Sequence, residues 1–230
     1  AKQRAGRAGR ECHGFCYRLL TEDEYVSCEQ NTSPEIERVN LAQVILQLLV
    51  IRNGDDPVTF DFISRPSTTY IRQAIEELKT LQCIKSIKKD PRSSSAGAYQ
   101  VTEHGFRISL LPLTPLLAHL LLLSQKPEYS CTYEVILAVS MLSVESPFYK
   151  PSHSNRIQQE KALKAHKRFL QTEGDLPSLV RVIQNWKSVK GDKRWCLNNY
   201  INHKNMSKAN EVLNQLRRLL EKMNIDVMIS

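Results

Sequence analysis

Glycine, methionine and tryptophan are scarce in this sequence, whose 230 residues include 8 Gly, 4 Met and 2 Trp. The glycines never form the pattern GxxxxGK[ST], so the sequence contains no phosphate-binding P-loop. Hydrophobic residues make up 41% of the chain and charged residues 24%, which are ordinary values for a globular protein. A collagen-like fibre and a disordered tail are therefore excluded. A chain of this length buries about 70% of its unfolded surface, which is enough for a real core.

Paired cysteine spacings are also missing. The six cysteines stand at positions 12, 16, 28, 83, 131 and 196, which excludes the framework of a disulfide-stapled miniprotein. Most have apolar neighbours, so we predict buried, reduced thiols in a cytosolic or nuclear protein. Cys12, His13 and Cys16 are potential zinc ligands, but they lack a second, spaced cluster, and no metal site is predicted.

Long apolar runs are absent as well. The longest extends from Ile108 to Leu123 and is interrupted by Pro112, Pro115 and His119. It falls short of the roughly 20 apolar residues that a membrane helix requires. We interpret it as a core segment and expect no membrane partner. The basic, glycine-rich first ten residues do not look like a signal peptide.

Positive charge is concentrated in two blocks of a chain whose net charge is +8. Residues 1–18 contain five basic residues and one acidic residue, and residues 150–208 contain thirteen basic and four acidic residues. Such blocks favour a polyanionic partner, nucleic acid above all. For the second block, a solvated helix face is an equally good explanation from the sequence alone.

The beginning of the chain predicts a strand followed by helices. Residues 12–20 alternate loosely and are rich in aromatic and aliphatic side chains, which predicts one buried strand. Ser33 and Pro34 predict a helix opening. The apolar spacing from Leu41 to Ile51 predicts a helix, which Asn53-Gly54 ends.

A second helix and a hairpin follow. Apolar residues from Ile71 to Leu81 recur every three or four positions, as on one face of a helix. Residues 84–88 and 98–102 predict two short strands joined by a polar tip. Two helices and a two-stranded ribbon are typical of a winged helix, although any small α+β unit shares this order.

After Leu113 the sequence is almost entirely helical. Short connections with Pro, Gly or Ser separate the helices, which favours one bundle. The predicted helices cover residues 116–124, 131–142, 156–170, 176–186, 195–202 and 207–223. The predicted fold class is therefore mainly α with a small α+β part.

The first ten residues, AKQRAGRAGR, are the most informative segment. Arg7 and Arg10 are three positions apart, which places them on one side of a helical turn. Gly6 and Gly9 allow a close approach of the backbone to a ligand. Arginine is permanently charged and donates paired hydrogen bonds to phosphate, so two arginines suit the γ-phosphate of a nucleotide undergoing hydrolysis. A basic, glycine-rich RNA-binding arm is the alternative.

Residues 3–10, QRAGRAGR, resemble motif VI of the DEAH-box RNA helicases, and the resemblance continues along the whole chain. Residues 14–19 resemble the last strand of the family's second RecA-like domain. Residues 34–41 resemble the opening of its winged helix, and residues 101–113 resemble the entry to its helical ratchet domain. That ratchet domain is also matched by Met141 to Val144, Phe148, Pro151, Gly174, Asp175, Trp186, Trp195, Cys196, Asn199 and Ile201.

The resemblance implies three parts. Residues 1–32 are the end of a second RecA-like domain, with motif VI and the last strand. Residues 33–110 are a winged helix, and residues 111–230 are a helical ratchet, or HA2-like, domain. Leu176-Pro177 depart from the family, which usually carries a histidine after Gly174-Asp175.

The resemblance also implies a nucleotide site. Gln3, Gly6, Arg7 and Arg10 would face ATP with its Mg²⁺, and Arg7 and Arg10 would be the catalytic arginines. In the family, the opposite wall of this site carries a P-loop and a DEAH sequence, and this sequence contains neither. We therefore expect the chain to belong to an ATP-hydrolysing RNA helicase and to hydrolyse no ATP by itself.

In this family RNA threads past the ratchet domain. The resemblance and the charge together predict RNA contacts by a group of cations, which are Lys150, Arg156, Lys161, Lys164, Lys167 and Arg168. Lys150 stands where arginine is common in the family, which keeps the charge but loses the paired hydrogen bonds.

The implied partners are RNA, an upstream RecA-like domain of the same chain and a G-patch-type activator protein. Residues 21–25, 60–67 and 205–206 are most similar to the nucleolar members of the family, which implies a nuclear, nucleolar location. The alternative is a non-catalytic winged-helix plus helical-bundle module that binds RNA or a partner protein. The sequence that precedes Ala1 would distinguish the two, and an OB-fold is expected after Ser230.

Overall fold

The computed structural model describes residues 5–29, 32–52, 56–87, 99–151, 155–225 and 227. These residues are mainly helical with one two-stranded sheet, so the predicted fold class is confirmed. In chain order the elements are α1 (Glu22–Ser27), α2 (Ala42–Ile51), α3 (Thr68–Thr80), β1 (Ile84–Ser86), β2 (Tyr99–Val101), α4 (Glu103–Ser109), α5 (Pro115–Leu123), α6 (Thr132–Leu142), α7 (Arg156–Lys167), α8 (Asp175–Ser188), α9 (Lys193–Asn198) and α10 (His203–Lys222). Single turns of 3-10 helix at Glu35–Glu37 and Pro57–Thr59 precede α2 and α3.

The segment 5–29 lies outside the core. The side chains of Phe15, Tyr17 and Leu19 are 83%, 85% and 99% exposed. The buried strand predicted at residues 12–20 is therefore wrong for this chain. A strand needs neighbours to pair its backbone groups, and the sheet of the described residues consists of β1 and β2 alone.

Helices α2 and α3 pack against each other and, with the hairpin, form the first compact unit. Asn40 joins the two helices, because its Oδ1 accepts the Ala42 N–H at 2.7 Å and its Nδ2 donates to Glu77 Oε2 at 2.9 Å. Strands β1 and β2 are antiparallel, with Ile84 opposite Val101. The tip predicted for this hairpin, residues 90–97, lies outside the described residues.

Helix α4 is missing from the sequence-based prediction, because a seven-residue helix with an internal glycine has little periodic signal. Thr102 caps it, since its Oγ1 accepts the Gly105 N–H at 2.9 Å and donates to the Gln82 carbonyl at 2.7 Å. A Cβ at Gly105 would overlap the Cys83 carbonyl oxygen and lie 2.8 Å from the carbonyl carbon. Glycine is therefore what lets α4 rest directly on the backbone that leads into β1.

Two histidines connect α4 to α5. His104 Nε2 and His119 Nδ1 are 2.7 Å apart, so one nitrogen donates and the other accepts a single hydrogen bond. Burial lowers the pKa of both imidazoles. Lys126 lowers the pKa of each further, and Arg107 adds to the effect on His104. The pair therefore favours its neutral form at the junction of the hairpin unit with the following helices.

Helix α6 is the centre of the helical part, with α5, α8 and α10 packed around it. Ile136, Leu137 and Val139 of α6 are completely buried. These residues are continuous with the apolar residues of α2 and α3, so the described chain shares one hydrophobic core. Of the described helices, none has the combination of length and apolar character needed to span a bilayer.

Several helix limits differ from the predicted ones, and a side-chain cap sets the start of α10. Helix α10 begins at His203, four residues before the predicted start, because Asn202 Oδ1 accepts the Asn205 N–H at 3.3 Å. Helix α8 begins at Asp175 and contains Pro177 in its first turn, where proline is tolerated. Helix α7 ends at Lys167, and its N-cap Asn155 accepts the Gln158 N–H at 3.1 Å.

The cysteines differ in burial, and Cys131 is half-buried. Cys83 and Cys196 are buried, and burial raises the pKa of the Cys83 thiol to about 11 and also raises that of Cys196. Cys12, Cys16 and Cys28 are exposed, so the prediction of buried thiols is wrong for these three. They lie in the segment 5–29, which contributes no residue to the hydrophobic core. All six thiols are free.

Candidate nucleic-acid interface

The arginine-containing segment forms a tight exposed turn. The Ala8 N–H donates to the Ala5 carbonyl at 3.1 Å, and Gly9 has a φ of +77°, a conformation that favours glycine. The chain then folds back until a Cβ at Gly14 would lie 2.9 Å from the Gly9 nitrogen. Arg7 and Arg10 lie on the exposed side of this turn.

Arg7 and Arg10 are both exposed on this turn, as is Gly6. Gln3 lies outside the described residues. Within the described part of the chain, neither guanidinium forms an ion pair with a carboxylate. Two uncompensated arginines three positions apart suit a phosphate group supplied from outside this segment. Their role at a nucleotide stays a prediction.

Cys12 and His13 follow the turn and are exposed. No group of three or more histidine, cysteine or acidic side chains in the described residues is arranged to hold a metal ion.

The predicted RNA-contacting cations are exposed along α7 and beside it. Ala162 and Ala165 are the buried residues of α7, and they turn one side of the helix toward the protein. The rest of the helix surface carries exposed cations, which are Arg156, Lys161, Lys164, Lys167 and, at the C-cap, Arg168. Because only two residues of α7 are buried, most of the helix surface, including these cations, is exposed.

The cations of α7 are not equivalent. Arg156 Nε is 3.7 Å from Glu160 Oε1, four positions along the helix, so this charge is partly compensated. Lys161, Lys164 and Lys167 make no ion pair with an acid among the residues that the structure describes. The lysines are therefore the stronger candidates for binding a polyanion.

Lys150 lies on a loop, residues 146–151, whose backbone is hydrogen-bonded to residues 200–205. The Pro147 carbonyl accepts the Asn202 N–H at 2.7 Å, and the Tyr149 N–H donates to the Tyr200 carbonyl at 2.8 Å. Asn205, which is 6% exposed, donates from its Nδ2 to the Ser146 carbonyl at 3.0 Å. The loop is therefore held in place while the Lys150 side chain stays exposed.

One carbonyl brings this loop and α7 together. The Tyr200 oxygen accepts a second hydrogen bond at 2.9 Å from His166 Nε2, which is the donor because a carbonyl only accepts. The His166 ring also packs against Phe148, with 4.7 Å between ring centroids. The loop that carries Lys150 consequently lies beside α7.

The contact between the loop 146–151 and α7 was not predicted from the sequence. Its members are separated by 34 to 59 positions, since His166 contacts Tyr200 and Asn205 contacts Ser146. No periodic pattern connects residues so far apart. A buried asparagine and a histidine on the apolar side of a basic helix are the weak signals that were available.

The two tryptophans pack in or against the hydrophobic core. Trp186 is 7% exposed and faces His203, with 6.3 Å between ring centroids. Trp195 packs against Phe169 at 5.7 Å. The tryptophans are therefore unsuited to stacking on an external base.

The chain matches a family model at residues 114–179, described as helicase associated domain (HA2), ratchet-like. It is 40% identical over 230 residues to ATP-dependent RNA helicase DHX33 of Mus musculus, covering 100% of this chain and 31% of the relative. For DHX33 of Homo sapiens the identity is 39% over 227 residues, covering 99% and 30%.

Probable ATP-dependent RNA helicase DHX35 of Homo sapiens is 33% identical over 226 residues, which cover 98% of this chain and 30% of the relative. The chain thus spans less than a third of the length of the curated relatives that it matches. The matched HA2 segment contains the loop 146–151 and helix α7. The chain is therefore homologous along its whole length to a segment of DEAH-box RNA helicases and contains a ratchet-like helicase-associated domain, which confirms the family that its sequence resembles.

Proposed function

We propose that this chain is the motif VI, winged-helix and ratchet portion of an ATP-dependent RNA helicase. Within it, α7 and Lys150 bind the phosphate backbone of RNA. The observation that carries the proposal is the exposed lysine face of α7, joined to the Lys150 loop inside the ratchet-like segment. Single-stranded RNA presents a regular row of phosphates. A cationic surface on a fixed backbone binds such a row without reading its sequence.

The assignment of residues 33–110 to a winged helix is supported by the packing of α2 and α3 with the β1–β2 hairpin. The ratchet assignment of residues 111–230 is supported by the HA2 match and by the α6-centred bundle. Residues 1–32 complete a second RecA-like domain in this proposal. The exposed Phe15, Tyr17 and Leu19 would then pack in the remainder of that domain.

The RNA contact can be tested by the salt dependence of binding. In the triple variant Lys161→Gln/Lys164→Gln/Lys167→Gln, three phosphate contacts are lost. We expect the slope of log K against log salt to fall by about 2, because each contact to a single strand contributes about 0.7. A matched control is Arg72→Gln/Lys85→Gln/Lys222→Gln, which removes the same charge from exposed positions elsewhere. Equal slopes for both triple variants would contradict a contact at α7.

In the full-length helicase, Arg7 and Arg10 would stabilise charge on the phosphoryl group of ATP, with Gln3 and Gly6 beside them and Mg²⁺ bound with the nucleotide. Arg10→Gln should then lower the turnover of ATP by about 10³- to 10⁵-fold. Arg18→Gln is the control, since the Arg18 guanidinium is already engaged 4.2 Å from the centroid of the Tyr25 ring. Unchanged ATP turnover with weakened RNA binding would instead support the non-catalytic RNA-binding alternative.

A G-patch-type activator and a nucleolar location remain predictions from the resemblance. They can be examined by co-purification with the full-length protein and by microscopy of the tagged protein.

A further inference from the structure

Tyr149 combines a fixed backbone with a free ring. Its N–H donates to the Tyr200 carbonyl at 2.8 Å, while 53% of the residue surface is exposed. In the described part of the chain, its ring contacts no other aromatic ring and its hydroxyl has no hydrogen-bond partner. The preceding Phe148, by contrast, is half-buried and packs against His166.

Exposed lysines adjoin Tyr149 along the chain and follow the α7 residue that it meets. Lys150 is the next residue and is exposed. The Tyr149 nitrogen and His166 Nε2 both lie within 2.9 Å of the same carbonyl oxygen, so α7 runs close to Tyr149. On α7, His166 is followed directly by the exposed Lys167. Exposed lysines near an exposed aromatic ring favour an anionic ligand.

We propose that Tyr149 is a stacking platform for a base of single-stranded RNA, whose phosphates are bound by Lys150 and the α7 lysines. This inference rests on the proposed RNA contact. It adds a contact to an RNA base, whereas the proposed function assigns this surface only to the phosphates of the RNA. An aromatic face beside a cationic groove is the arrangement that binds unpaired nucleotides irrespective of their sequence. Because the loop is already held by Asn202, Tyr200 and Asn205, stacking costs little additional ordering of the protein.

Tyr129 shows what an exposed tyrosine without this environment looks like. It is 54% exposed, almost the same as Tyr149, and its N–H is also bonded, to the Lys126 carbonyl at 2.9 Å. It follows the acidic Glu128 rather than preceding a lysine. Tyr129→Ala is therefore a matched control for exposure and backbone fixation.

The test compares oligouridylate with an abasic oligoribonucleotide of the same length. Both carry the same phosphates, but only the first has bases. We expect Tyr149→Ala to weaken binding of oligouridylate by about five- to 100-fold and to leave binding of the abasic strand unchanged. Tyr149→Phe should retain the affinity of the wild-type chain, and Tyr129→Ala should change neither affinity.

A second readout reports stacking directly. In Tyr149→Trp, oligouridylate should quench the added indole fluorescence, and the abasic strand should not. Equal loss for both strands in Tyr149→Ala, or no loss for either, would overturn the stacking role. If the α7 lysine triple variant weakens both strands while Tyr149→Ala weakens neither, the stacking proposal fails and the RNA contact stands. If the wild-type chain binds neither strand, the RNA contact fails as well.

Discussion

Replacing Gly105 with alanine should destabilise this protein, although the same change stabilises most helices. In an ordinary helix interior, alanine is favoured over glycine by about 1 kcal/mol. Here the added methyl group would overlap the Cys83 carbonyl oxygen and lie 2.8 Å from its carbon. The overlapping atoms of Cys83 belong to the backbone, so no rotation of a side chain relieves the overlap. Helix α4 therefore has to move away from the residues that lead into β1.

The magnitude follows from what this movement disturbs. Overpacking of a well-packed site costs about 1–3 kcal/mol. The shift also strains the Thr102 hydrogen bonds to Gln82 and Gly105, at 2.7 and 2.9 Å, each worth about 1 kcal/mol. After subtraction of the gain in helix propensity, we expect a net loss of about 1–3 kcal/mol. For a chain of this size that corresponds to a fall in Tm of about 3–10 °C.

The assay is urea and thermal unfolding of Gly105→Ala followed by circular dichroism. The control is Gln47→Ala, an exposed position in α2, for which we expect a change within about 0.5 kcal/mol. A Tm for Gly105→Ala equal to or above that of the wild-type chain would refute the reasoning. It would mean that the close approach of α4 to Cys83 is not required by the packing.

Two further predictions concern the junctions of the fold. The pKa values of His104 and His119 are lowered in the folded protein, so below about pH 6.5 the unfolded chain binds more protons and stability falls as the pH drops. In His119→Gln an amide replaces one imidazole, so about one titrating group is lost and the urea midpoint should change less between pH 7.5 and 5.5. Identical pH profiles would count against the pair. Asn205→Ala removes the buried side chain that donates to the Ser146 carbonyl, and we expect a loss of about 1 kcal/mol in the free energy of unfolding by urea. Asn210→Ala, at a half-buried position of the same helix, should cost clearly less, and equal losses would argue against the special role of Asn205.

Local pattern predicted much of this molecule. Helical spacing located α2, α3, α6 and α10 to within a few residues. The apolar residues of an amphipathic helix recur every three or four positions, so the helix can be recognised from its own sequence. The resemblance to the DEAH-box helicases depended on short motifs and was confirmed over the whole chain. The clustering of basic residues also indicated a polyanion before any geometry was known.

The same kind of reasoning failed where a long-range partner decides the outcome. Residues 12–20 have the composition of a buried strand, yet they are exposed because the described chain offers them no sheet. Helix α4 was not predicted because seven residues with an internal glycine have little periodic signal. That glycine is required by the carbonyl of Cys83, a distant residue in the sequence.

The sequence by itself therefore determined the fold class, the family and the existence of a basic α7. Each of these depends on the composition or spacing of neighbouring residues. Only the tertiary structure decided that the loop with Lys150 lies beside α7 and what supports that loop. His166 and Tyr149 meet at the Tyr200 carbonyl, and Asn205 holds Ser146, through hydrogen bonds between segments far apart in the chain. Such contacts are satisfied only when the whole core has folded, and no local pattern records them.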